Sequence, residues 1–355
     1  MSPARRAAFR VVRRVLEQGA YADRAFEGEA RKLEGRDRAF AQQLAYGTVQ
    51  RGGTLDHVIE AFVEREPPEV ARAALHLGLY QLLFLDGVAD HAAVGESVEL
   101  LKGHRAAGMV NAVLRKVARE GYELPSDETP EGAALRHSHP RWIVDLWWDW
   151  LGPEETRALL AAGNEPPERA TREMHGHVIR QSTGSQLVAK IVDPQPGERV
   201  LDLCSAPGNK TSHLADLMGN EGEVVAYERH EGRATALAGR MEVLGATIVR
   251  VVNDDAERAE GQFDRVLLDP PCSGLGTLAR NPDLRWRMTP DRVEGLVAQQ
   301  QRLLETARNC VAPGGRLVYS VCTLNPTEEQ LEGEPTRTWP HRDGTDGFSI
   351  VRRDG

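Results

Sequence analysis

Apolar positions in the first third of the chain recur at helical spacing. Ala7, Val11 and Val15 fall on one face, and so do Val94, Val98 and Leu101. The stretches ARAALHLGLYQLLFLD and VNAVLRKVARE read as strongly apolar helices, separated from their neighbours by short polar breaks such as GRD and DGVADH. Strand-like alternation is absent, and no repeat of fixed period is found. The pattern predicts an all-α bundle over residues 1–120. Residues 121–175 form a second region, which opens on the linker-like ELPSDETPEGA. It continues with RWIVDLWWDWLG, an aromatic amphipathic helix, and closes on GNEPPERATREMHGH, which reads as loop or weak structure.

From about residue 176 the period changes. RVLDL, EVVAYE, TIVRVV, RVLLD, RLVYSV and GFSIV are short β-branched runs with helical or loop stretches between them. Strands alternating with helices imply a parallel, doubly wound α/β sheet over 176–355. Ligands of such sheets bind at the carboxyl ends of the strands.

Composition narrows the class of protein. The hydrophobic fraction of 41% is that of a globular chain, and no apolar run approaches the length of a membrane span. Four cysteines, none in a CxxC pair, do not make a disulfide scaffold, so a cytoplasmic protein with reduced thiols and no membrane partner is expected. The net charge of -9 argues against a strongly basic nucleic-acid binder, yet residues 1–51 hold 11 Arg/Lys against 6 Asp/Glu. That local excess suits either a phosphate-attracting face or an ordinary solvated helix surface. Four of the six tryptophans lie in RWIVDLWWDWLG, which suits a base-stacking platform or core packing.

The candidate chemistry lies at the predicted strand ends. After RVLDL comes the loop Cys204, Ser205, Ala206, Pro207, Gly208, Asn209 and Lys210, and then a helix. Small residues there let the backbone approach a ligand closely, and a helix N-terminus offers free N–H groups. The loop matches neither a P-loop nor a clean GxGxxG, so it reads as a site for a nucleotide-like cofactor or as a tight structural turn. Glu228 follows the next strand, 20 residues after Gly208, where a carboxylate can hold a ribose diol. Asp254 follows a third strand and is placed to reach an adenine amine, although Asp254 and Asp255 also suit a helix cap. Asp269 and Cys272 end the fourth strand in LLDPPCSGLG, and Cys322 ends the fifth in YSVCTLNPTEEQ. Two of only four cysteines at matching ends of neighbouring strands favour a shared pocket over two small buried thiols. His137, His139 and His175 lack a ligand spacing with the cysteines, and no metal site is expected.

LDLCSAPGNKT, LLDPPCSGLG and YSVCTLNPTEEQ resemble motifs I, IV and VI of the Sun/RsmB and nucleolar-protein family of RNA cytosine-5 methyltransferases. DRAFAQQLAYGTVQR, LGLYQLLFLD, DHAAVGESVEL and VNAVLRKV are similar to the NusB-type helical domain of RsmB-type enzymes. The resemblance implies a NusB-like RNA-binding bundle over 1–120, a linker with a shortened RNA-binding subdomain over 121–175, and a Rossmann-like class I methyltransferase domain over 176–355. It implies S-adenosylmethionine as cofactor, bound along Cys204 to Lys210, Glu228, Asp254 and Asp269, and a cytosine of small-subunit ribosomal RNA as substrate. It also assigns roles: Cys322 as the nucleophile, Cys272 in product release, Asp269 on the cytosine edge, and Lys210 orienting Asp269 or favouring the Cys322 thiolate. Arg280, Arg285, Trp286 and Arg287 follow motif IV as candidates for RNA contacts. The chain is expected to act as a monomer.

Some positions depart from the family pattern. Asn209 stands where a glycine is usual, Glu228 where aspartate is commoner, and Asp255 where glycine is usual. The segments between Asn164 and Gln181 and after Gln330 are shorter than the resemblance implies, and no RVN-like strand is legible in the first. A transfer-RNA substrate, a DNA cytosine-5 methyltransferase using Cys272, and a non-catalytic RNA-binding or assembly protein are the competing readings. The NusB-like helices and Cys322 argue against the DNA enzyme, and the intact Asp269, Cys272 and Cys322 against the last.

Overall fold

The computed structural model describes residues 2–355, which divide into two units. The first holds the chain up to Glu165 together with Leu278–Arg287; the second holds Pro166–Thr277 and Met288–Gly355.

The first unit is helical, as the apolar spacing predicts. Seven helices run from Pro3–Gln18 to Ala107–Glu120, followed by Pro130–His137, Arg141–Leu151 and Pro153–Ala162. The stripes read from the sequence form its core: Ala7, Val11, Val94 and Leu101 are buried. Of the four clustered tryptophans Trp147 is buried, with its ring near that of His139. The arginine excess near the N-terminus is partly neutralised within the unit, through Arg13–Glu17, Arg38–Glu27 and the pairing of Arg10 and Arg14 with Glu29.

Leu278–Arg287 changes one expectation. Arg285 is fully buried, and its guanidinium donates to the carbonyls of Gln50, Ser138, Gly163 and Leu278 and to Oδ1 of Asn164. Trp286 donates from Nε1 to the Val49 carbonyl at 2.8 Å and packs on Gly52 and Gly53. Arg287 lies over the Tyr21 ring, 3.7 Å from its centroid. Arg285 is therefore a packing residue of the helical unit, whereas Trp286, 37% exposed, and Arg287 make contacts within the unit and also reach its surface. A buried guanidinium needs many acceptors, and carbonyls at helix and turn ends supply them.

The second unit opens on a hairpin where the sequence suggested weak structure. β1 (Thr171–Met174) pairs antiparallel with β2 (His177–Arg180). His175 and Gly176 form the turn with φ of 47° and 80°, the positive pair of a type I′ two-residue hairpin. His175 Nδ1 lies 3.0 Å from the Leu244 carbonyl. The main sheet comprises β3 (Arg199–Asp202), β4 (Glu223–Tyr227), β5 (Val249–Val252), β6 (Phe263–Leu268), β7 (Val311–Val321), β8 (Thr336–Thr338) and β9 (Phe348–Asp354), in the order β5-β4-β3-β6-β7-β9-β8. β3 to β7 are parallel, as expected; β9 runs antiparallel to both β7 and β8, so the sheet is mixed. β3 lies between β4 and β6, and at this point the strand order reverses. Val200, Leu201, Val224, Val225, Val266 and Leu267 are essentially inaccessible, because helices cover both faces of a parallel sheet. Each such side chain contributes about 1.5–3 kcal/mol. No helix among the described residues is long and apolar enough to cross a membrane.

Candidate active site

The reversal between β3 and β6 brings the loops after both strands to one edge of the sheet. After β3, the loop from Cys204 turns at Gly208 (φ 92°) into the helix Asn209–Leu217. A Cβ on Gly208 would meet Leu237 Cδ1 at 2.5 Å, so glycine is required by packing as well as by conformation. The helix Glu231–Val243 grips the loop from outside. Arg233 donates to the Ala206 carbonyl (3.2 Å) and Arg240 to the Pro207 carbonyl (2.9 Å) and to Asn209 Oδ1 (2.6 Å). Asn209 thus supplies an acceptor that glycine would lack. From the hairpin, Arg172 reaches the Asn209 carbonyl at 3.3 Å and the hydroxyl of Ser212.

Lys210 points to the end of β6, where Nζ donates to Asp269 Oδ2 at 2.6 Å. Ser320, on β7, donates to the other oxygen, Oδ1, at 2.8 Å. Burial opposes the Lys210 charge, but the Asp269 carboxylate outweighs it and the Lys210 pKa is raised. Asp202, the last residue of β3, is buried and accepts from Thr211 Oγ1 at 2.7 Å. Burial pushes its carboxyl up to about 6.

Cys272 and Cys322 come together. β6 and β7 are adjacent and in register, Leu268 opposite Tyr319, and the two Sγ atoms lie 3.4 Å apart. Both are free thiols and partly exposed. The Cys272 thiol is pushed well above its ordinary range by its hydrogen bond to Cys322, by burial, and by the nearby charges of Cys322, Glu328 and Asp269. Cys204 is raised by burial first and then by the negative charges around it, and Cys310 by burial. These two therefore stay protonated near neutral pH.

The remaining candidates lie along β4 and β5. Glu228 follows β4; its Oε1 accepts from the His230 N–H at 2.8 Å, and its Oε2 lies 3.1 Å from Arg233. A carboxylate has about four lone-pair sites, so acceptor capacity remains for a diol. Asp254 is half exposed beside Arg258. Its neighbour Asp255 takes the capping role, accepting from the Glu257 N–H at 3.1 Å. The loop, Glu228 and Asp254 follow three neighbouring strands, a donor set that fits a nucleoside-bearing cofactor.

Comparison with known proteins decides the family. A family profile described as 16S rRNA methyltransferase RsmB/F matches residues 189–335, and a NusB family profile matches residues 2–119. The probable ribosomal RNA small subunit methyltransferase B of Synechocystis sp. is 35% identical, over 94% of this chain and 89% of that protein. The chain belongs to the RsmB/F family.

Its Bacillus subtilis relative of the same description is 32% identical over 84% of this chain and 80% of that protein. A crystal structure described as that of PH0851 aligns with a TM-score of 0.78 at 25% identity, covering 99% of this chain and 98% of that one. As an RsmB/F family member the protein is an RNA methyltransferase with a NusB-like helical region and a Rossmann-like catalytic fold.

Several polar residues around the site escaped the sequence reading: Asp202, Ser320, Arg172, Arg233 and Arg240, and the group Ser273, Thr323 and Glu328. Asp202, Ser320, Ser273, Thr323 and Glu328 stand inside the motifs already quoted; for the first four a polar residue at or near a strand end was the available signal, whereas Glu328 lies in the short helix Pro326–Glu328 beyond β7. The arginines carry none, because each acts from an element distant in sequence.

Proposed function

We propose that this protein transfers a methyl group from S-adenosylmethionine to C5 of a cytosine in small-subunit ribosomal RNA, through a covalent bond between Cys322 and C6. The observation that carries this reading is the 3.4 Å approach of Cys272 and Cys322 beside the Lys210–Asp269 pair. Cytosine C5 is too weak a nucleophile to react unaided. Cys322 Sγ adds to C6, and the ring electrons move to C5, which becomes nucleophilic. The cofactor, when bound, supplies the electrophilic methyl group. Asp269, fixed between Lys210 and Ser320, accepts a hydrogen bond from the cytosine amine and stabilises the activated ring. The C5 proton then leaves to a base, the electrons expel Cys322 from C6, and Cys272 assists that release.

Cys204 to Lys210 would line the cofactor, Glu228 would hold its ribose diol and Asp254 its adenine amine. The target base must leave its stack to enter, at a cost of a few kcal/mol. The helices of residues 1–120 would dock the RNA, with the protein acting as a cytoplasmic monomer.

The test is methylation of naked small-subunit ribosomal RNA with tritiated S-adenosylmethionine, with the modified base mapped. Wild type is expected to form 5-methylcytosine, Cys322→Ala to be dead, and Cys272→Ala to trap a covalent RNA adduct. Turnover retained in Cys322→Ala would overturn the assignment, and methylation of transfer RNA alone would move the substrate.

A further inference from the structure

Arg172 of β1 is buried, and its three side-chain nitrogens are unequally served. Nε donates to Gln181 Oε1 at 2.7 Å. Gln181 is itself fixed by donating to Ser185 Oγ at 3.1 Å, in the first turn of the helix Thr183–Val192. Nη2 donates to the Asn209 carbonyl at 3.3 Å and to the Ser212 hydroxyl, which in turn donates to the Gly208 carbonyl at 2.8 Å. Nη1 makes no hydrogen bond among the described residues, and Asp216 Oδ2 lies 3.6 Å from it. A buried charge so incompletely paired is a poor stability device, since apolar side chains of similar volume often replace buried ion pairs without loss. What the guanidinium does hold is the loop after β3.

The engaged carbonyls of that loop form an unbroken run. Ala206 accepts from Arg233, Pro207 from Arg240, Gly208 from Ser212 and Asn209 from Arg172. Arg233 and Arg240 come from the helix Glu231–Val243, and the hairpin also meets the end of that helix, where His175 Nδ1 lies 3.0 Å from the Leu244 carbonyl. The hairpin thus touches both helices that flank the loop. Four consecutive carbonyls, held by side chains that are themselves held, fix the backbone shape offered to a ligand.

We propose that the β1–β2 hairpin is part of the cofactor site, with Arg172 as the positioning residue that fixes the Gly208–Ser212 turn for S-adenosylmethionine. This rests on the cofactor assignment above and adds to it an element outside the strand-end loops. A loop ordered in advance costs less to bind, so losing the brace weakens cofactor binding and leaves the chemical step alone.

The test is calorimetric titration of the full-length, RNA-free protein with S-adenosylmethionine, with melting curves as fold controls. Arg172→Met keeps much of the volume and removes the donors. Its cofactor Kd is expected to rise about tenfold, the effect of losing one charged hydrogen-bonding group. In methylation assays its KM for the cofactor should rise alongside, with kcat and the KM for RNA near wild type. A role in stability alone would lower the melting temperature and leave the Kd in place. A folded Arg172→Met protein with wild-type cofactor affinity therefore overturns the proposal, and so does a raised KM for RNA at unchanged cofactor Kd. Ser212→Ala is the milder variant and decides the matter should Arg172→Met not fold. It is expected to bind about threefold more weakly, and wild-type affinity overturns the proposal. Wild-type protein that binds no S-adenosylmethionine sinks the cofactor assignment and this inference with it. Wild type that binds, with both variants binding equally well, sinks this inference alone.

Discussion

Lys210 donates to Asp269 across 2.6 Å although 59 positions separate them, because the β3 and β6 ends they follow are neighbours at the reversal of the sheet. The pair is held from the far side by Ser320 at the end of β7. Three strand ends therefore fix one carboxylate, and no single motif contains the arrangement.

Removing the ammonium should release Asp269. Lys210→Met is expected to slow single-turnover methyl transfer by about 100-fold, the usual effect of losing one preorganised group. Rapid-quench assays with tritiated cofactor measure it. A rate within a few-fold of wild type would show that Ser320 alone suffices.

The grip of Arg240 on Pro207 and Asn209 should matter to the cofactor loop. Arg240→Ala is expected to weaken S-adenosylmethionine binding by about tenfold, equivalent to the ~1.4 kcal/mol of one charged hydrogen bond. Calorimetric titration reads this directly. Asn209→Gly, which keeps the Pro207 contact, should lose less.

The buried Asp202 predicts a pH-dependent stability. Its folded pKa of about 6 lies above that of an exposed aspartate, ~3.9, so the native state binds the extra proton between these values. Its contribution falls as pH rises from about 4 to about 6 and is level above. Asp202→Asn is expected to gain stability over wild type across that window, by up to about 3 kcal/mol. Denaturant unfolding at pH 4, 5, 6 and 7.5 checks it; a difference constant with pH would contradict the assignment.

Arg285 should be a stability residue of the helical unit. Arg285→Ala removes five hydrogen bonds made by a fully buried guanidinium and is expected to cost about 2–4 kcal/mol. Urea unfolding measures it. A variant with wild-type stability but weakened RNA binding would return Arg285 to the nucleic-acid face.

Much of the site was legible because strand ends are local features. Leu267 and Leu268 with Asp269 to Cys272, or Val321 with Cys322, read as a buried β run followed by a turn, and the helix stripe of Ala7, Val11 and Val15 needs only the helical period. The hairpin of β1 and β2 was not legible. Its strands have four residues each, with Arg, Glu and His among them, and its turn places His175 at positive φ without an asparagine to announce it.

By itself the sequence determined the helical first unit, the parallel strands and the identity of the groups at their ends, since periodicity and turn chemistry act over a few residues. Tertiary structure alone decided that the two sulfurs meet at 3.4 Å, that Leu278–Arg287 joins the helical unit, and that Glu328 links both cysteine loops. Each of these joins positions tens to hundreds of residues apart. Such pairings arise when burial forces polar groups to find partners wherever the fold has brought them, and no short-range pattern records which partner that is.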